Sequence, residues 1–116
     1  MGHIYTEAKF SGVRGKKKVK VLVDTGATYT VISPEFSEEI GVLKLPRKLK
    51  LADNRETEAE AGSAILEVNG REIPITVVIL PGSEILLGIE ALEALGLKPN
   101  PETGELEPTR TYTIRA

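Results

Sequence analysis

A chain of 116 residues with no cysteine and one histidine has few side chains that could do chemistry. Without cysteine there are no disulfides, thiolate metal sites or sulfur nucleophiles. His3 stands alone near the N-terminus, so a Ser-His-Asp site lacks a well-placed base and a zinc site lacks ligands. Carboxylates, lysines and hydroxyls remain. Only two of the carboxylates are aspartates, Asp24 and Asp53. Asp24 ends the apolar run Val21-Leu22-Val23 and is followed by Thr25, Gly26 and Ala27. Paired carboxylates can act on one water as base and acid. A lone Asp-Thr-Gly is also what a tight turn would carry, since Asp and Gly favour turns for separate reasons. Its meaning therefore depends on the elements around it.

Most of those elements read as short strands. Residues 4–10 (IYTEAKF) alternate, SGVRG supplies a turn, and residues 16–23 return with Val19, Val21 and Val23 on one face. SPEFSEEIG reads as a short helix with Ser33 as N-cap, Pro34 at its first position and Gly41 as its stop. Residues 47–68 read as two strands joined through a polar tip at Asp53, Asn54 and Arg55. Asn69-Gly70 between apolar flanks signals a hairpin. Residues 72–80 (EIPITVVIL) and 84–88 (EILLG) are further apolar strands. IEALEALG (89–96) is a second helix with Ile89, Leu92 and Leu95 on one face. The tail has a turn at Glu102–Gly104 and a last strand expected from Thr109 to Ile114. The fold class expected is all-β, with two short helices. The two halves echo each other: an apolar strand, a glycine (Gly26 or Gly88), a short helix, then a glycine followed by an apolar residue.

The bulk numbers fit one domain. The chain is 41% hydrophobic and 28% charged, with a formal net charge of −2, so no global field favours nucleic acid or an anionic membrane. The basic run Arg14, Lys16, Lys17, Lys18 and Lys20 has no stacking aromatics beside it and reads as a solvated strand face. No apolar run approaches the ~18 residues of a membrane span, and the N-terminus lacks a signal-peptide pattern. The expectation is a cytoplasmic protein without nucleic-acid or membrane partners.

Asp24-Thr25-Gly26-Ala27 after two apolar residues, the later Leu86-Leu87-Gly88 leading into a helix, and a hairpin between them together resemble the retropepsin-like aspartic proteases. These are the single-lobe, retroviral-type relatives of the pepsins, and this chain looks like a prokaryotic-looking member. The resemblance covers roughly residues 4–97. It implies a small closed barrel-like acid-protease half over residues 1–97, with 98–116 as a C-terminal extension carrying an interface strand. It implies catalysis by Asp24, with Thr25 bonding across a subunit boundary and Gly26 letting the backbone approach substrate. Ala27, Thr28 and Gly88 would contact substrate, and Asp53, Asn54 and Arg55 would form the tip of a flap closing over it. No metal and no cofactor is implied. Hydrolysis needs two carboxylates about 3 Å apart sharing one proton. Asp53 sits in a polar hairpin, so one chain supplies half a site. The economical solution is a homodimer in which the two Asp24 residues meet at the axis. The expected activity is endopeptidase cleavage of a peptide or protein; the alternative is a non-catalytic dimeric peptide-binding domain of the same fold.

Some positions depart from the retroviral pattern. Thr28 stands where an acid is usual, and Ile89 follows Gly88 where an arginine is usual, so an apolar or hydroxyl-based contact is expected in place of that ion pair. The flap candidate is highly charged and has no glycine at its tip.

Overall fold

The computed structural model describes residues 3–50, 53–82 and 84–109. Strand β1 (Ile4–Ser11) turns through Gly12–Gly15, closed by the Gly12 amide on the Gly15 carbonyl at 2.9 Å, into β2 (Lys16–Val23). Then follow β3 (Thr30–Ile32), helix α1 (Pro34–Ile40), β4 (Lys44–Lys50), β5 (Glu56–Val68) and β6 (Arg71–Ile79). The chain continues with β7 (Leu86–Leu87), helix α2 (Ile89–Leu95), β8 (Leu97–Asn100) and β9 (Glu105–Pro108).

Seven strands form one sheet in the order β1-β2-β7-β3-β6-β5-β4, and β1 also pairs with β5. That second pairing curls the sheet on itself, giving a small all-β half-barrel. The two-residue β7 is wedged between distant segments, parallel to β2 and antiparallel to β3. This wedge brings Leu87 beside Val23, and so Gly88 beside the loop that begins with Asp24.

Local sequence explains the joints. Asn69 and Gly70 both adopt positive φ, 52° and 78°, as a two-residue hairpin of the primed type requires. The Ser33 hydroxyl accepts the Phe36 amide at 3.2 Å, Pro34 opens α1, and Gly41 closes it in the left-handed region. Gly96 ends α2 in the same way. The internal echo is thus a repeated strand–helix–glycine stop. Phe10, Val21, Ile32, Leu66, Val77, Leu87 and Leu95 are fully buried in the barrel interior, and Phe36 of α1 meets Phe10 edge to face at 5.3 Å.

The extension contains a hairpin that residue types did not announce. Strands β8 and β9 pair with Leu97 opposite Pro108 and Lys98 opposite Glu107. Pro, Lys and Glu are poor strand formers, so these segments read as polar tail. The pairing is held by Asn100 Nδ2 donating to Glu107 at 3.0 Å, by buried Leu97 and by Leu106 against the core. Proline is tolerated because a two-stranded ribbon is all edge. Of the strand expected at Thr109–Ile114, residues 110–114 lie outside the described residues. Thr109 is a bend whose amide donates to the Gly96 carbonyl. Among the described residues no helix is long and apolar enough to cross a membrane.

Candidate active site

Asp24 leaves the end of β2 where strand pairing stops. Its amide donates to the Leu87 carbonyl at 2.9 Å, the last tie between β2 and the β7 wedge. The chain then turns at once, with the Ala27 amide on the Asp24 carbonyl at 3.2 Å. Inside that turn the Gly26 amide donates to Asp24 Oδ1 at 3.0 Å, which fixes the carboxylate plane. A Cβ on Gly26 would stand 3.3 Å from the same oxygen, a tight contact, so glycine keeps the space beside the carboxylate open. Asp24 is half-buried, while Thr25, Gly26 and Thr28 are exposed. In a single chain the loop therefore presents the carboxylate and the Thr25 hydroxyl outward.

The loop is clamped from behind by the Gly88 segment. The first amides of α2, from Ile89 and Glu90, donate to the carbonyls of Ala27 and Thr28 at 2.7 and 3.0 Å. These donors have no partner within the helix, and Gly88 as N-cap has no side chain to offer them. The Gly88 amide donates to the buried Thr30 hydroxyl at 3.2 Å. A Cβ on Gly88 would lie 2.5 Å from the carbonyl carbon and oxygen of Tyr29, so this close approach demands glycine. The support that Thr28 and Ile89 cannot give as an ion pair comes from main-chain bonds and from Thr30.

The structure therefore brings Asp24, Thr25, Gly26, Ala27, Thr28 and Gly88 into one constellation. Asp53, Asn54 and Arg55 form the tip between β4 and β5, and no hydrogen bond among the described residues ties that tip to the Asp24 loop. The Asp53 carboxylate is engaged locally: Oδ1 accepts the Arg55 amide at 3.1 Å and Oδ2 accepts Arg55 Nε at 2.6 Å. Asn54 takes a positive φ of 69°, doing the work of the absent tip glycine. Asp53 is a turn-former here.

Thr30 and a row of apolar side chains escaped the sequence reading. Leu22 pairs with Leu86, Leu86 with Val31, and Val31 with Val78, one residue from each of β2, β7, β3 and β6. Cross-strand partners share a face, and the alternate residues Val21, Leu87, Ile32 and Val77 fill the interior. The row therefore lies on the opposite face of the sheet, half-buried at Leu22, Leu86 and Val31 and buried at Val78, and it starts two residues before Asp24. Its signal was available: VLV and ITVVIL are apolar at consecutive positions, as a strand covered on both faces requires. For Thr30, the signal was a hydroxyl in step with inward-facing Ile32.

Two comparisons bear on this geometry. A family model described as "gag-polyprotein putative aspartyl protease" matches residues 11–94, the stretch that carries both loops of the constellation. The DNA damage-inducible protein 1 of Yarrowia lipolytica is 27% identical to the chain over 96 residues, which cover 77% of this chain and 24% of that protein. The chain thus spans about a quarter of the length of that curated relative. Neither comparison supports a prokaryotic-looking character.

Proposed function

The chain belongs to the gag-polyprotein-type aspartyl protease family, and on that premise we propose that it is an aspartic endopeptidase working as a homodimer. The observation that carries this reading is the Asp24 carboxylate, oriented by its own Gly26 amide and presented outward with Thr25 at the end of β2. A single carboxylate cannot be both base and acid in one step, and Asp53 is held by Arg55. In this reading the second carboxylate is Asp24 of another copy.

In the dimer the two carboxylates share one proton, because like charges about 3 Å apart resist simultaneous ionisation. The ionised Asp24 takes a proton from water as its oxygen attacks the scissile carbonyl carbon, while the protonated Asp24 gives its proton to the carbonyl oxygen. The tetrahedral diol collapses as one of its hydroxyls returns a proton to an Asp24 carboxylate. The C–N bond breaks, and the leaving nitrogen gains a proton from the other Asp24, so atoms and charge balance. Thr25 fixes the two loops against each other across the axis. Ala27, Thr28 and Gly88 border the substrate backbone, and Leu22, Val31 and Leu86 offer an apolar wall to its side chains. The tip at Asp53, Asn54 and Arg55 covers the bound peptide.

The test is a diverse peptide mixture incubated with the parent protein and with Asp24→Asn, the products read by mass spectrometry. The parent should cleave, Asp24→Asn should not, and Asp53→Asn should keep substantial activity. Equal cleavage by the parent and Asp24→Asn would remove the basis of the proposal.

A further inference from the structure

Six large apolar or aromatic side chains are exposed among the described residues, and four of them meet in one place. Val13, Leu43, Leu45 and Ile65, exposed by 76%, 77%, 58% and 38%, border a hollow of about 570 Å³ together with Ala61 and Pro74. Apolar residues scattered singly over a surface need no explanation, but a convergent group in a concavity does. The hollow is built at the root of the β4–β5 hairpin, away from the Asp24 loop.

Its shape is fixed by close backbone crossings. A Cβ on Gly12 would stand 2.3 Å from the Ile40 carbonyl oxygen, and one on Gly62 would stand 2.4 Å from the Leu43 carbonyl oxygen. The β1–β2 turn, the segment after α1 and strand β5 therefore pack backbone against backbone, and the hollow between them is preformed. Along one side runs β4, the last strand of the sheet order, whose outer side has no strand partner among the described residues. Pro46 removes one donor from that edge, so side chains rather than a full ladder must provide the contacts.

Among the described residues no charged residue lines the hollow itself, and the cations beside its lining residues differ in their partners. Lys44 is engaged with Glu38 at 3.1 Å and Glu60 at 3.6 Å. Arg14, next to Val13, donates to the Glu38 carbonyl oxygen. Arg47, two residues from Leu45 on the same strand face, donates to the Pro46 carbonyl oxygen. Neither guanidinium has a carboxylate partner among the described residues, and a guanidinium is the donor best matched to a carboxylate fork.

We infer that this groove is a docking site for an extended peptide segment that alternates apolar side chains with carboxylates. The apolar side chains fill the hollow and the carboxylates meet Arg14 and Arg47. An occupant there touches both the β1–β2 turn and the hairpin root. The site is separate from Asp24 and is assayed without cleavage.

The test uses the full chain carrying Asp24→Asn and a fluorescein-labelled hexapeptide of alternating glutamate and leucine, read by fluorescence anisotropy. Binding should be saturable and weaken with salt. A matched leucine–lysine peptide should bind at least about tenfold more weakly. Val13→Ser with Leu43→Ser should cost about tenfold or more, as loss of buried leucine-sized contacts implies. Both residues are largely exposed, so the core stays intact, which circular dichroism checks. Arg47→Glu should weaken the acidic peptide and strengthen the basic one. Equal binding of the two peptides, or no effect of the serine pair, overturns the proposal. So does a groove filled by a second copy, seen as self-association that Leu43→Ser abolishes while no peptide binds.

Discussion

Replacing Gly88 by alanine tests whether the clamp behind Asp24 sets catalytic geometry. The added Cβ would lie 2.5 Å from the Tyr29 carbonyl carbon and oxygen and 2.8 Å from the Thr28 oxygen. Comfortable contacts between heavy atoms start near 3.5 Å for carbon pairs, so the two segments must part by about 1 Å. No flexible side chain can absorb that movement, because the obstructing atoms are backbone. Overpacking of this kind costs about 1–3 kcal/mol of stability. A displacement of about 1 Å at a catalytic group can cost on the order of 10²-fold in rate. Gly12→Ala is the control, since its Cβ would meet the Ile40 oxygen at 2.3 Å far from Asp24. Both variants should lose comparable stability in urea. Only Gly88→Ala should lose about two orders of magnitude in kcat on a cleaved peptide, measured where both variants are fully folded. An unchanged kcat in Gly88→Ala, or an equal loss in Gly12→Ala, would refute the idea that the clamp positions Asp24.

Thr30→Val removes the acceptor of the buried Gly88 amide. It should cost about 1–3 kcal/mol in chemical denaturation, and Thr30→Ser should recover most of it; an equal loss in both variants would assign the effect to packing. A pH effect follows from Lys9 and Glu67, which join β1 to β5 at 2.9 Å. The hydrogen bond from Lys9, and then its charge, hold the Glu67 carboxyl below its ordinary 4.5, while the same partner raises Lys9 above 10.5. The pair therefore stabilises the barrel between those ordinary values. Its contribution is lost as pH falls through the lowered Glu67 value and as pH rises through the raised Lys9 value. Glu67→Gln should flatten the acid limb of a urea-midpoint profile slightly, the pair being partly exposed, and an unchanged acid slope would contradict the assignment.

Elements that carry their own punctuation were legible in the sequence. Ser33, Pro34 and Gly41 bracket α1, Asn69-Gly70 turns β5 into β6, and Asp24-Thr25-Gly26 with Leu86-Leu87-Gly88 mark the two loops that meet. What stayed hidden depends on who pairs with whom. The apolar strand expected over residues 84–88 is there as the two-residue β7, but its wedged place between β2 and β3 comes from pairing that no local pattern shows. The β8–β9 hairpin is built from residues that disfavour strands and is held by Leu97, Leu106 and the Asn100–Glu107 bond. The outer-face row at Leu22, Leu86 and Val31, ending at buried Val78, needs the register of four strands before it can be seen. Thr30 could be seen as a residue but not as a partner of Gly88, which lies 58 positions away.

The central claim is that one active site takes its two carboxylates from two copies of Asp24, and subunit mixing tests it most directly. Equal amounts of parent and Asp24→Asn are mixed, and complete exchange is verified with differently tagged copies. Random pairing leaves about a quarter of the dimers with two intact chains, about half mixed and about a quarter without a working carboxylate, as two-fold association requires. At saturating substrate the account predicts activity per dimer of roughly a quarter of the parent value. A value near half, with mixing verified, would mean that each chain holds a complete site and would contradict the shared pair.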